Sequence, residues 1–170
     1  MLDRLLAFID AVIAGIGRVV SLAIFVMIAA ISFEVVARYF FNAPTPWVQD
    51  VSGWLQVAYV FLGGAFALQT GHFVRVDVLY ARLPARVQAL IDLVLATALF
   101  ACFATVIIWK GTELAYQSVR MGEISATGGW RGPIYPAKII IPIGMALVAL
   151  AWLTHALRQV RILLRPDAER

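Results

Sequence analysis

The chain has 170 residues, room for one compact domain, and 62% of them are hydrophobic against 14% charged. A soluble domain is about 45–50% apolar and about 25% charged, so this composition argues against a water-soluble enzyme or a disordered chain. The net charge of +4 comes from basic residues scattered singly between apolar runs. They form no Lys/Arg stripe of the kind that phosphate backbones need, and no nucleic-acid partner is expected.

In chain order, residues 2–17 come first. Leu2, Leu5, Leu6, Ile9, Val12, Ile13 and Ile16 repeat at three- and four-residue steps. With Asp3 and Asp10 read as the opposite face, this segment is an amphipathic helix for a membrane surface or a partner groove. Two acids and no convincing small-residue cleavage site argue against a removed signal peptide. Four apolar runs follow, at about 19–37, 51–69, 90–109 and 139–157, each near the roughly 20 residues that cross a bilayer as a helix. Backbone groups in lipid must be satisfied within the segment, so helices are expected. The fold class is all-α integral membrane: four transmembrane helices plus the N-terminal amphipathic helix, one membrane domain over 1–170. Thr45-Pro46 reads as an N-cap followed by proline at the first helical position, and Pro84 and Pro136 can open helices the same way. Pro142 lies inside the fourth run and is expected to bend it.

With four spans, the N-terminus, the middle loop and the C-terminus share one side. They hold Arg4, Arg18, Arg75, Arg82, Arg86, Arg158, Arg161, Arg165 and Arg170, nine in all; Arg38, Lys110, Arg120, Arg131 and Lys138 make five on the other. The excess predicts both termini in the cytoplasm. The opposite side carries Tyr39, Trp47, Trp109, Tyr116, Trp130 and Tyr135. Lipid-interface anchoring and a docking surface for a soluble partner both account for these aromatics. The connection from Lys110 to Lys138 is long, and its turn-rich stretch is expected to be ordered against something.

Charges within spans mark candidate sites. Glu34 precedes Arg38 by four residues, the favourable order for a helical ion pair, and a structural pair is expected rather than a proton site. Asp92 has Arg82 and Arg86 within reach and reads as a neutralised anchor. Gln56 can bond across to another helix, and Gly63 with Ala67, and Thr97 with Ala101 and Thr105, have the spacing of close helix packing. Cys102, the single cysteine, excludes an internal disulfide and a multi-cysteine metal site and is expected to serve packing. His72 and His155 cannot face each other at mid-membrane as a haem pair would. Phosphate-loop, nucleophile-elbow and metal-helix motifs are missing, so no enzyme and no cofactor is expected.

Three segments together are distinctive. RYFFNAPTPW spans Arg38 to Trp47, with an acid at Asp50. GGAFALQTGHFVRVDVLYARLP spans Gly63 to Pro84, and SATGGWRGPIYPAKIIIPIG spans Ser125 to Gly144. The pattern resembles the small membrane subunit of tripartite ATP-independent periplasmic (TRAP) transporters, the DctQ-like family, over about Glu34 to Gly144. Family members often carry two acids soon after the tryptophan; this chain has Gln49 and Asp50. The resemblance implies a non-catalytic subunit of a sodium-driven importer of organic anions in the bacterial inner membrane. It implies two protein partners, a large multi-span permease subunit that carries the substrate, and a periplasmic solute-binding protein. His72, Arg75, Asp77 and Asp92 are then expected at the large-subunit contact, and Trp47, Asp50, Trp130 and Tyr135 on the periplasmic docking face. The competing reading is a self-sufficient homodimeric, proton-coupled exporter using Glu34; a redox-enzyme anchor is a third, weakened by the histidine placement.

Overall fold

The computed structural model describes residues 2–71, 84, 87–88, 92–126 and 130–164. Helix α1 runs from Leu2 to Phe40 without a break, so the expected surface helix over 2–17 and the first span are one element. The reason is local: no proline interrupts this stretch, and Gly15 and Gly17 alone are too weak a break. The helix ends where Asn42 takes a left-handed φ of 49° and Pro44 follows. The Ala43 N–H turns back to the Ala37 carbonyl at 3.0 Å.

Helix α2, Pro46–Gln69, opens with Thr45 in extended conformation and proline in its first turn, where the Thr-Pro pair places its start, but the Thr45 hydroxyl makes no capping hydrogen bond. A turn at Pro84, whose carbonyl accepts from the Val87 and Gln88 N–H groups, precedes the π turn Asp92–Ala96. That turn runs into α3, Thr97–Met121. The third helix therefore continues well past Trp109, and Lys110, Trp109 and Tyr116 are helical residues rather than parts of a long loop. No strong breaker occurs until Gly122, which adopts φ 58°, with Glu123 N–H bonded to Ser118 O and Gly122 N–H to Val119 O. Helix α4, Tyr135–Leu164, holds Pro142 in its interior and begins before it.

Between α3 and α4, residues 122–126 and 130–134 pair as the two arms of a hairpin. Ile124 bridges Pro133, Ser125 N–H donates to Gly132 O at 2.7 Å, and Ile134 N–H to Glu123 O at 3.1 Å. Its end of the molecule, shared with the 41–45 connection, is called the hairpin end below, and the opposite one the terminal end.

The helices form a row in the order α1, α2, α4, α3. α2 packs against both α1 and α4, α4 also against α3, and α1 and α3 are the edges. Two glycines set the spacing. A Cβ on Gly144 would lie 2.5 Å from Phe61 Cβ and 2.9 Å from its backbone carbon, so α2 and α4 meet nearly backbone to backbone. A Cβ on Gly17 would lie 2.4 Å from the Phe66 ring, which seats α1 on α2. The buried cluster of Ile13, Ala65, Leu68 and Ala151 sits toward the terminal end, covered by Phe66, Leu147, Val148 and Trp152. Large apolar side chains such as Leu22, Phe25, Leu99 and Phe103 point outward from the edge helices. Among the described residues, four helices are long and apolar enough to cross a membrane, and the protein is a multi-pass membrane protein.

Three expectations are corrected. Asp10 does not face away from the apolar stripe: it shares a strip with buried Leu6 and Ile13 and pairs with Arg158 of α4. Cys102 is exposed on α3 and packs no core. Ala101 and Thr105 are exposed too, while Thr97 accepts a bond from Trp152 Nε1 at 3.1 Å.

Candidate functional site

A cluster of polar side chains among the described residues lies at the hairpin end. Arg38 and Glu34 lie one turn apart on α1, and Arg38 Nη2 approaches Glu34 Oε1 to 2.6 Å. Glu34 is largely shielded, at 14% side-chain exposure, whereas Arg38 is 56% exposed. Glu34 thus has a cation beside it and little contact with water. The pair lines a cavity of about 820 Å³ between α1 and the start of α2, together with Thr45, Gln49, Ser52 and Gln56. Gln56 is exposed there, turned to this cavity. Two buried hydroxyls at that cavity, Thr45 Oγ1 and Ser52 Oγ, have no hydrogen-bond partner.

Beside it the hairpin is tied down onto α2 and α4. Ser125, 5% exposed, donates its hydroxyl to Asp50 Oδ1 at 2.6 Å. Trp130 tilts against Trp54 with ring centroids 5.7 Å apart. Lys138 of α4 bonds Glu123 Oε2 at 2.5 Å. The Lys138 hydrogen bond holds the Glu123 carboxyl below the usual carboxylate range.

Of the four residues expected on a docking face, Asp50 and Trp130 are brought together through the hairpin. Trp47 stands apart, 37% exposed and 6.5 Å from the Phe33 ring. Tyr135 is the partly buried first residue of α4. His72, Arg75 and Asp77 lie outside the described residues, and Asp92 is placed only as the first residue of the π turn. Sequence reasoning missed Ser125, the Glu123–Lys138 pair and the Asp10–Arg158 pair. Only the last left a readable signal, since Leu6, Asp10, Ile13 and Gly17 recur at helical steps. Among the described residues, no group of three or more His, Cys, Asp or Glu could hold a metal. The arrangement has polar fasteners and one open cavity, with no nucleophile–base pair in it.

Residues 27–162 match the DctQ component of tripartite ATP-independent periplasmic transporters. The chain belongs to the DctQ family. It is thus a component of a TRAP transporter and not an enzyme. It is similar, at 23% identity over 142 residues, to the isethionate TRAP transporter permease protein DctMQ of Oleidesulfovibrio alaskensis. The match takes in 80% of this chain and 22% of that protein, so the DctQ chain spans about a fifth of its curated relative's length.

Proposed function

We propose that this DctQ chain is a non-catalytic scaffold: it flanks a large multi-span permease subunit and helps seat a periplasmic solute-binding protein. The observation that carries this reading is the open row. Its two edge helices turn large apolar side chains outward along their length, while several charges within its helices are engaged in pairs, Glu34–Arg38 and Asp10–Arg158 among them. A solute pathway needs a polar route enclosed between helices; this chain offers a wall instead. The relative whose remaining four-fifths lie outside the match supports a partner of greater size.

The finer assignment follows the family resemblance. The complex imports organic anions with sodium, and the chain sits in the bacterial inner membrane with both termini in the cytoplasm. Trp47 and Trp130, both exposed by more than a third, with Tyr135 and Asp50, belong to the face that meets the binding protein. His72, Arg75, Asp77 and Asp92 belong to the contact with the large subunit. Pro142, interior to α4, bends that helix where it passes Gly111 of α3. Glu34 acting as a proton carrier, as a lone exporter would require, is disfavoured by its short pairing with Arg38.

Affinity purification of the tagged chain from native membranes tests the scaffold reading. Recovery with a much larger multi-span membrane protein is expected, and Arg75→Ala with Asp77→Ala should lower that yield. Recovery of the chain alone, or solute transport by the purified chain in liposomes, would overturn it.

A further inference from the structure

Packing contacts between neighbouring helices allow a residue on one to be levelled against a residue on the next. Gly17 meets Phe66, and a Cβ on Gly64 would touch Val148 at 3.7 Å. Arg18, exposed on α1, therefore stands level with the Val148 turn of α4. At the other edge a Cβ on Gly111 would touch Pro142 at 3.5 Å, so Lys110, 65% exposed on α3, stands level with Pro142. Those two levels are separated by about 10 Å at 1.5 Å per residue. A hydrocarbon layer about 30 Å thick, set square to the helices, would engulf one of these charges or both, or, lying wholly to one side of them, Asp10 or Glu34.

Each edge helix nonetheless has its own long stretch without charge. On α1 it lies between Arg18 and Glu34, and on the π turn and α3 together between Asp92 and Lys110. Exposed Leu22, Phe25 and Ile28 fill the first, and exposed Val94, Leu99 and Phe103 the second. The two stretches are out of step. By the same contacts, the middle of the first, near Val26, is level with Ile140. The middle of the second is level with Trp152, whose ring stacks on Phe100 at 4.9 Å. The offset is about 18 Å, across a row about 27 Å wide at about 9 Å between axes.

We infer that the row crosses the bilayer obliquely, at about 35°, with lipid covering a diagonal band from the hairpin-end half of α1 to the terminal-end half of α3. That angle is within the roughly 0–40° found for membrane helices. The charges fit the band: Arg18 and Glu34 bound it on one edge, Asp92 and Lys110 on the other. The first half of α1 then follows the lipid–water boundary at the terminal end. The second half of α3, with its Lys110–Glu113 pair and Arg120 over the Tyr116 ring, stands in water at the hairpin end.

Spin labels on single cysteines in the full-length Cys102→Ser chain, placed in lipid vesicles, test this. Val12 and Leu99 share one level along the helices, and Ile28 and Leu114 share another; all four side chains are exposed. Collision with oxygen should dominate at Leu99 and Ile28, and with a water-soluble nickel chelate at Val12 and Leu114. Depths within each pair should differ by about 15 Å. Equal depths within either pair, or the reverse order, would overturn the oblique crossing, and an upright row with long side chains reaching to the interface would stand instead.

Discussion

Single residues fasten the hairpin, and each fastening makes a distinct demand. Ser125 is buried and its hydroxyl answers Asp50. Ser125→Ala removes a donor from a half-buried carboxylate, a loss of about 1–3 kcal/mol. The thermal midpoint in detergent should fall, and the tryptophan emission reporting on the Trp54–Trp130 contact should shift with it. Glu123 behaves differently because its carboxyl titrates low in the folded chain. A depressed folded-state value means its contribution is complete above the ordinary carboxylate range and is lost as pH falls through the lowered value. Hairpin order should accordingly be flat from neutral pH down to about pH 5 and decline only in stronger acid. Glu123→Gln should erase that acid dependence, as followed by the same tryptophan signal. The sequence shows Glu34 and Arg38 as neighbours because a helix brings residues four apart together. It does not show Asp50 beside Ser125, since 75 residues separate them and only the packing of α2 against the hairpin closes that distance.

At the scale of the helix, hydropathy identifies where the chain crosses the membrane and says little about where helices stop. Crossing depends on side-chain transfer, whereas stopping depends on caps and breakers. Lys110 to Met121 is polar enough to leave the bilayer, yet it keeps helical hydrogen bonding until Gly122 takes a left-handed conformation. Leu2 to Gly17 is amphipathic, and nothing in it ends a helix before the first span begins. The same limit applies to packing. Gly63 and Ala67 have the familiar spacing but line an open groove between α1 and α2. The tight approach is made by Gly144, which has no partner at that spacing. Gly144→Ala would place a methyl group 2.5 Å from Phe61 Cβ and 2.9 Å from its backbone carbon. Relief requires α2 and α4 to separate, a penalty of about 1–3 kcal/mol. Gly53→Ala meets nothing within 4 Å and should leave stability unchanged or slightly raised. Thermal midpoints of the two variants side by side will show whether the backbone approach at Gly144 is what holds the row.

At the scale of the molecule, a row is harder to hold than a bundle, because its edge helices are each gripped from one side. α1 packs chiefly against α2 and far less against α4, which it meets at the terminal end. There Arg158 meets Asp10, residues 148 apart in sequence. Asp10 is 19% exposed and its Oδ1 is buried without a partner, so the carboxylate depends on Arg158 for compensation. Arg158 itself is 51% exposed, and water screens part of the attraction, leaving a contribution of about 1–2 kcal/mol. Arg158→Ala should loosen the first half of α1 while α2, α3 and the hairpin stay in place. Amide exchange should therefore rise over residues 2–17 and remain slow in α4. Exchanging the charges, Asp10→Arg with Arg158→Asp, should restore slow exchange. If both variants exchange alike, α1 is held by Ile13 and Phe66 alone, and the row owes its closure at that edge to apolar packing rather than to the ion pair.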